Sequence, residues 1–147
     1  MRTAVSLIAA TGLILTLAAC SPGAATGDCV AAPAGAASNA VKATGDFGAK
    51  PEITVTTPTA STTTERTVVI VGDGELAVAG DVVAVDYVLL NGATGEEIAA
   101  SEYSTGSAVD FPLDTEQFLP GIVKTLECST VGSRVVGVIP PADSFGD

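Results

Sequence analysis

An α+β fold, an antiparallel sheet wrapped on one short helix, is predicted by three observations. Between Thr67 and Ile139, β-branched and apolar residues recur in short runs separated by Gly-, Asn- and Asp-containing turns. One segment changes period, with Phe118, Ile122 and Leu126 at i, i+4 and i+8 on one helical face. Pro120 falls in the first turn of that helix, where its missing N–H costs nothing.

The elements follow in order. Thr67 to Val71 reads as a strand and Gly72-Asp73-Gly74 as a hairpin turn. After a second turn at Ala79-Gly80-Asp81, Val82 to Leu90 reads as one long strand. Asn91-Gly92 and Thr94-Gly95 mark a reversal, from which Glu96 to Ser101 returns. Val109 to Leu113 is a further short strand, the helix follows, and Gly132 closes a turn before a strand from Arg134 to Ile139. Pro51 to Thr56 alternates apolar and polar residues as an edge strand does. The segment Ser21 to Thr44 is Ala, Gly, Ser, Thr and Pro with almost no large apolar side chain. It reads as a tether, because it has too little apolar surface to offset its ordering entropy.

Composition removes several function classes. The 147-residue chain has no histidine, which excludes Ser–His–Asp and Cys–His catalysis and any His-bound zinc. Its net charge of −11 makes nucleic acid a poor partner, since phosphates must be met by cations. Serines and threonines are plentiful but lack a base to activate them. The carboxylates Asp73, Glu75, Asp81 and Asp86 have no calcium-loop spacing and read as solvated surface. No cofactor and no metal is expected.

Residues 1–19 carry Arg2, then an apolar stretch from Ala4 to Ala18. That run is shorter than the about 20 residues a resident membrane helix needs and suits a signal peptide. It ends in Leu17-Ala18-Ala19-Cys20, which resembles the bacterial lipobox. The resemblance implies lipidation of Cys20 and cleavage just before it, with the protein held on the extracytoplasmic face of the membrane. Residues 20–66 are then a lipid-anchored tether with a possible edge strand. Cys29 and Cys128 remain as two exported cysteines, an even count that reads as a disulfide, two free thiols being the alternative.

The ordered series is more specific than any single motif. Gly72-Asp73-Gly74 precedes Gly80-Asp81-Val82-Val83-Ala84-Val85-Asp86-Tyr87, then a Thr94-Gly95-Glu96-Glu97-Ile98 segment and Val109-Asp110-Phe111-Pro112-Leu113. Phe118-Leu119-Pro120-Gly121-Ile122, Val131-Gly132-Ser133-Arg134 and Pro141-Ala142-Asp143-Ser144-Phe145-Gly146 complete it. Residues 67–147 thereby resemble the FKBP-type peptidyl-prolyl isomerase domain. The resemblance implies a pocket in which Tyr87 is the wall tyrosine and Phe111 lies in the strand lining the site, one pleat beyond Val109. It further implies that Phe118 and Leu119 match the pair whose backbone N–H binds a substrate carbonyl. Ile122 stands where the family has a tryptophan floor, and Phe145 where it has a tyrosine whose hydroxyl meets the ligand. Ile98-Ala99 replaces a Phe-Asp pair, so the pocket aspartate is lost, and the family's last strand lies beyond Asp147. The expected function is cis-trans isomerisation of X–Pro bonds in exported polypeptides, by desolvation of the imide in an apolar pocket. The alternative is a catalytically weak or inactive binding or chaperone module at the cell surface.

Overall fold

The computed structural model describes residues 29–146. The expected signal peptide, residues 1–19, and Cys20 lie outside them. The described residues form α1 (Ala36–Ala40), β1 (Lys42–Thr44), β2 (Glu52–Thr54), β3 (Glu65–Ile70), β4 (Val82–Val85) and β5 (Val88–Leu90). Then come β6 (Glu97–Ala100), β7 (Val109–Pro112), α2 (Pro120–Leu126), β8 (Arg134–Val138) and a 3-10 turn at Pro141–Asp143. All pairings are antiparallel: β1 with β2, β3 with β8, β4 with β7 and β5 with β6. With one main helix, this is the α+β architecture expected.

Three local expectations are corrected. The long strand Val82 to Leu90 is broken at Asp86–Tyr87, because its two halves have different partners, β7 for β4 and β6 for β5. Gly72-Asp73-Gly74 is no hairpin turn, since β3 pairs with β8 and not with β4. Its glycines instead admit the turn before β8: the Gly74 N–H donates to the Val131 carbonyl at 3.0 Å, and Thr130 Oγ1 donates to the Gly72 carbonyl at 2.7 Å.

The third correction concerns the tether, whose part from Cys29 to Thr44 contains α1 and β1. What orders it is mostly polar pairing, with Ala43 of β1 buried beside it. Ser38 is fully buried, its N–H donates to Glu65 Oε2 at 2.9 Å, and its hydroxyl receives Thr67 Oγ1 at 2.8 Å. The Arg66 N–H donates to the Pro33 carbonyl at 2.9 Å. Glu65 and Arg66 already belong to β3, so a boundary between residues 66 and 67 falls inside that strand. Further on, Arg134 donates to the carbonyls of Gly45, Asp46 and Ala49 at 2.6, 2.7 and 3.0 Å, fixing the loop between β1 and β2. The Lys50–Glu97 ion pair at 2.8 Å ties the same loop region to β6.

The core lies between β4, β7 and α2. Leu113 and Val123 are 1% and 2% exposed, Ala77 packs with them, and Val83, Phe118 and Leu126 close around the cluster. The most buried helical positions are Gly121, Val123 and Thr125, with Ile122 half-buried, so the core-facing surface of the helix takes in Val123 beside Phe118 and Leu126. Gly121 and Thr125 turn towards β8 and the segment after it.

Cys29 and Cys128 form a disulfide across a sequence separation of 99 residues, the pairing expected from the even count. A loop of that length stabilises mainly by restricting the unfolded chain, by about 4–5 kcal/mol. Replacing Cys29 and Cys128 together by serine should therefore lower the unfolding free energy by about that amount. Urea melts of the oxidised parent and the double variant measure it, and coincident midpoints would contradict the estimate.

Candidate functional site

Three of the six expected site residues meet. Tyr87 stands at the break between β4 and β5, Phe111 in β7 and Phe118 just before α2. The Tyr87 and Phe111 ring centroids are 5.8 Å apart at 88°, and those of Phe111 and Phe118 are 4.9 Å apart at 73°. Both contacts are edge-to-face, the geometry favoured by ring quadrupoles and worth about 0.5–1.5 kcal/mol per pair beyond area burial. Phe111 in the middle is buried, and the outer two rings are half-buried. The result is an aromatic file with one anchored ring and two partly open ones.

The entry to α2 is set by Asp114. Its carbonyl receives the N–H groups of Gln117 and Phe118 at 3.1 and 2.9 Å, and its Oδ1 receives the N–H of Glu116 at 2.8 Å. The Gln117 side-chain amide and those loop N–H groups hold the Asp114 carboxyl below its usual range. The Phe118 N–H is thus consumed within the loop. Leu119 follows at the N-cap, half-buried, with its N–H lacking an intramolecular acceptor among the described residues. Ile122 lies one turn further on and is half-buried. Leu119 and Ile122 therefore adjoin the aromatic file along the chain.

Phe145 does not join. It is 80% exposed in the segment after the 3-10 turn. Val109 is 42% and Ile98 61% exposed, so neither supplies an enclosing wall. Cavities of about 400 and 500 Å³ lie elsewhere. The first lies between Val30–Pro33 and Pro140–Asp143, the second beside Gly80, Asp114 and Glu127. Neither is lined by Tyr87, Phe111 or Phe118.

One residue read as solvated surface belongs beside this site. Asp86 is half-buried, and its Oδ1 receives the hydroxyls of Ser101 and Ser107 at 2.8 and 3.2 Å. Nothing in its sequence neighbourhood signals this, because both serines lie across the β5–β6 hairpin and the loop after it. Burial, with the charges of Asp86 and Glu97, pushes the Tyr103 phenol up, and Arg134 opposes the shift.

The far side of α2 is held by charge. Lys124 Nζ lies 2.8 Å from Asp143 Oδ1, and Thr64 Oγ1 donates to Asp143 Oδ2 at 2.6 Å. The Lys124 ammonium first, and the Thr64 hydroxyl second, hold the Asp143 carboxyl below its ordinary value of 3.8. A carboxyl lowered in the folded state stabilises above the unfolded value and loses that contribution as pH falls through the folded one. On acidification from neutral pH to below 3.8, Asp143→Asn should therefore lose less stability than the parent. Urea midpoints at the two pH values test this, and parallel losses in both proteins would contradict it.

Residues 74–147 match the family model of FKBP-type peptidyl-prolyl cis-trans isomerases. The chain is 37% identical over 76 residues to an FK506-binding protein of Streptomyces anulatus, covering 52% of this chain and 60% of that protein. It therefore spans about three-fifths of the length of that relative. No solved structure matches the chain. The family match takes in β4 to β8 and all six residues of the expected site, and on it the chain belongs to the FKBP-type peptidyl-prolyl cis-trans isomerase family.

Proposed function

We propose that this protein isomerises X–Pro bonds in exported polypeptides, with the aromatic file and the start of α2 as the reacting surface. The observation that carries the reading is the juxtaposition of Tyr87, Phe111 and Phe118 with the unengaged N–H of Leu119. Rotation about an X–Pro bond crosses a barrier of about 18–20 kcal/mol, maintained by amide resonance. Resonance separates charge, so an imide moved from water onto an apolar surface loses more stabilisation in its planar form than in its twisted one. The pyrrolidine ring would lie against Tyr87 and Phe118, and the Leu119 N–H would donate to a substrate carbonyl. Ile122 would extend the apolar floor, and Phe145 would close over a bound peptide from its exposed position. The chemistry needs no base, which suits a chain without histidine.

Full-length protein should accelerate cis-trans relaxation of an X–Pro peptide. Phe118→Ala should lower kcat/KM about tenfold, the loss expected for an aromatic contact of roughly 1–1.5 kcal/mol. A folded parent that binds proline peptides without accelerating the relaxation would favour the alternative binding or chaperone module. The absence of a hydroxyl at Phe145 and its 80% exposure favour that second reading.

The membrane assignment is part of the same proposal and is supported by the Leu17-Ala18-Ala19-Cys20 ending. Two acyl chains give a stable anchor where one does not. Cys20→Ser should leave the protein unprocessed or release it from the membrane fraction in a cell that processes lipoproteins. A variant processed and anchored like the parent would exclude lipidation at this cysteine.

A further inference from the structure

The structure assigns to Asp86 the role of a positioning residue for the candidate site, acting on Tyr87 through Ser101. The assignment rests on the proposed reading of the aromatic file as the reacting surface. Tyr87 lies at the strand break, where a continuous ladder would otherwise fix its backbone. Ser101 takes over that task from both sides. Its N–H donates to the Tyr87 carbonyl at 2.9 Å, and its hydroxyl oxygen receives the Tyr87 N–H at 3.1 Å. A hydroxyl that receives an N–H still has its own proton to place, and that proton goes to Asp86 Oδ1 at 2.8 Å. The carboxylate thus fixes the rotor of Ser101 with its lone pair towards Tyr87.

The same oxygen reaches the loop after β6. Ser107 Oγ donates to Asp86 Oδ1 at 3.2 Å, lies 2.8 Å from the Ser104 carbonyl oxygen, and receives the Ser104 N–H at 2.8 Å. Between these anchors Tyr103 takes a left-handed backbone with φ of 52°, a conformation unfavourable for a residue with a side chain. One carboxylate oxygen therefore sets two things: the backbone that carries the Tyr87 ring against Phe111, and the loop leading from β6 to β7. No cation pairs with Asp86 among the described residues, so the serine hydroxyls are what it is used for. Ala99 leaves no carboxylate at the position where the resemblance implies a pocket aspartate. Asp86 puts one on the neighbouring strand break instead, as a holder of the tyrosine and not as a group touching substrate.

The chain has two tyrosines, so Tyr103→Phe leaves Tyr87 alone and open to selective observation. In full-length Tyr103→Phe protein labelled with 3-fluorotyrosine, the single fluorine resonance reports the ring environment of Tyr87. Asp86→Ala and Ser101→Ala should each shift or broaden that resonance, and the two together should do no more than either alone. Asp86→Asn, which keeps an acceptor oxygen, and Ser101→Thr, which keeps the hydroxyl, should restore it. The Cys29/Cys128 double serine variant loses stability elsewhere and should leave the resonance in place, separating positioning from stability. In the isomerisation assay Asp86→Ala should raise KM about tenfold and lower kcat less. A folded Asp86→Ala protein with the parent's Tyr87 resonance would overturn the assignment. Should the alanine variant not fold, Asp86→Glu, which displaces the carboxylate by one methylene, is judged by the same resonance. A parent without isomerase activity would instead overturn the functional reading, and the fluorine resonance would still decide whether Asp86 positions Tyr87.

Discussion

Helix α2 reaches its position because two glycines present no side chain along its contact with β8 and the segment after it. A Cβ at Gly121 would fall within the Ile139 side chain and 2.9 Å from the Asp143 carbonyl oxygen. A Cβ at Gly137 would meet the Thr125 side chain, its Cγ2 at 2.7 Å. Interiors packed at crystal density cannot absorb such an atom without moving an element. The short distance between helix and strand brings Phe118 to Phe111, and through Phe111 to Tyr87. The aromatic file is thus a consequence of a contact on the other side of the helix. Thr125 meets the same constraint from within, turning its hydroxyl back to the Gly121 carbonyl at 2.7 Å rather than into the apolar contact.

Charge is spent sparingly and almost all on joining distant segments. Lys50 and Arg134 bind the β1–β2 region to the sheet, and Lys124 binds α2 to the turn after β8. Lys42 donates to the Asn39 carbonyl at 3.2 Å, and Arg66 is buried against the end of α2. Each of these described cations already has an acceptor, which leaves most of the described carboxylates without an ionic partner among the described residues. Those carboxylates must be solvated or held by hydroxyl and N–H donors, as Asp86 and Asp114 are. A serine- and threonine-rich sequence supplies such donors in quantity, and the network beside Tyr87 is built from them.

The sequence was legible wherever a period or a turn carried the information. Pro51 to Thr56 alternates around β2, Val82 to Val85 is a β-branched-rich apolar run between turns, Asn91-Gly92 and Thr94-Gly95 reverse the chain, and Pro120 marks a helix start. An even number of cysteines beyond Cys20 was enough to suggest the pairing of Cys29 with Cys128. The order of motifs named Tyr87, Phe111 and Phe118, whose rings meet in the structure, and Leu119 and Ile122, which follow Phe118 along the chain. What escaped has a common cause. The ordering of Ser38 depends on Glu65 and Thr67, the break at Tyr87 on Ser101, and the role of Asp86 on Ser101 and Ser107. Each is a polar contact between residues far apart in sequence, and hydrogen bonds of that kind leave no periodicity. The partner of β3 escaped for the same reason: β8 lies beyond every other strand, and nothing local distinguishes it from β4. Phe145 was assigned by alignment of motifs alone, and in the structure its ring faces solvent.

The end of α2 shows how much of the fold serves to hold that helix still. Cys128 has a left-handed backbone with φ of 60°, costly for a residue with a side chain, and it persists because three groups determine it. Its N–H donates to the Ala77 carbonyl at 2.9 Å, its carbonyl receives an Arg66 guanidinium N–H at 3.3 Å, and its sulfur is bonded to Cys29. Arg66 reaches it at a cost: among the described residues the guanidinium has no carboxylate beside it and its Nε no partner, and burial lowers its pKa. A second guanidinium bond, to Ser129 Oγ at 2.7 Å, offsets part of that desolvation. Such an expenditure is reasonable only if the helix must not rotate. A rotation of α2 would carry Phe118, just before its first turn, out of its edge-to-face contact with Phe111, and the proposed desolvation of an imide has no reactive group to compensate for lost placement. Rigidity at the C-terminal end of α2 is therefore what preserves apolar alignment at its N-terminal end.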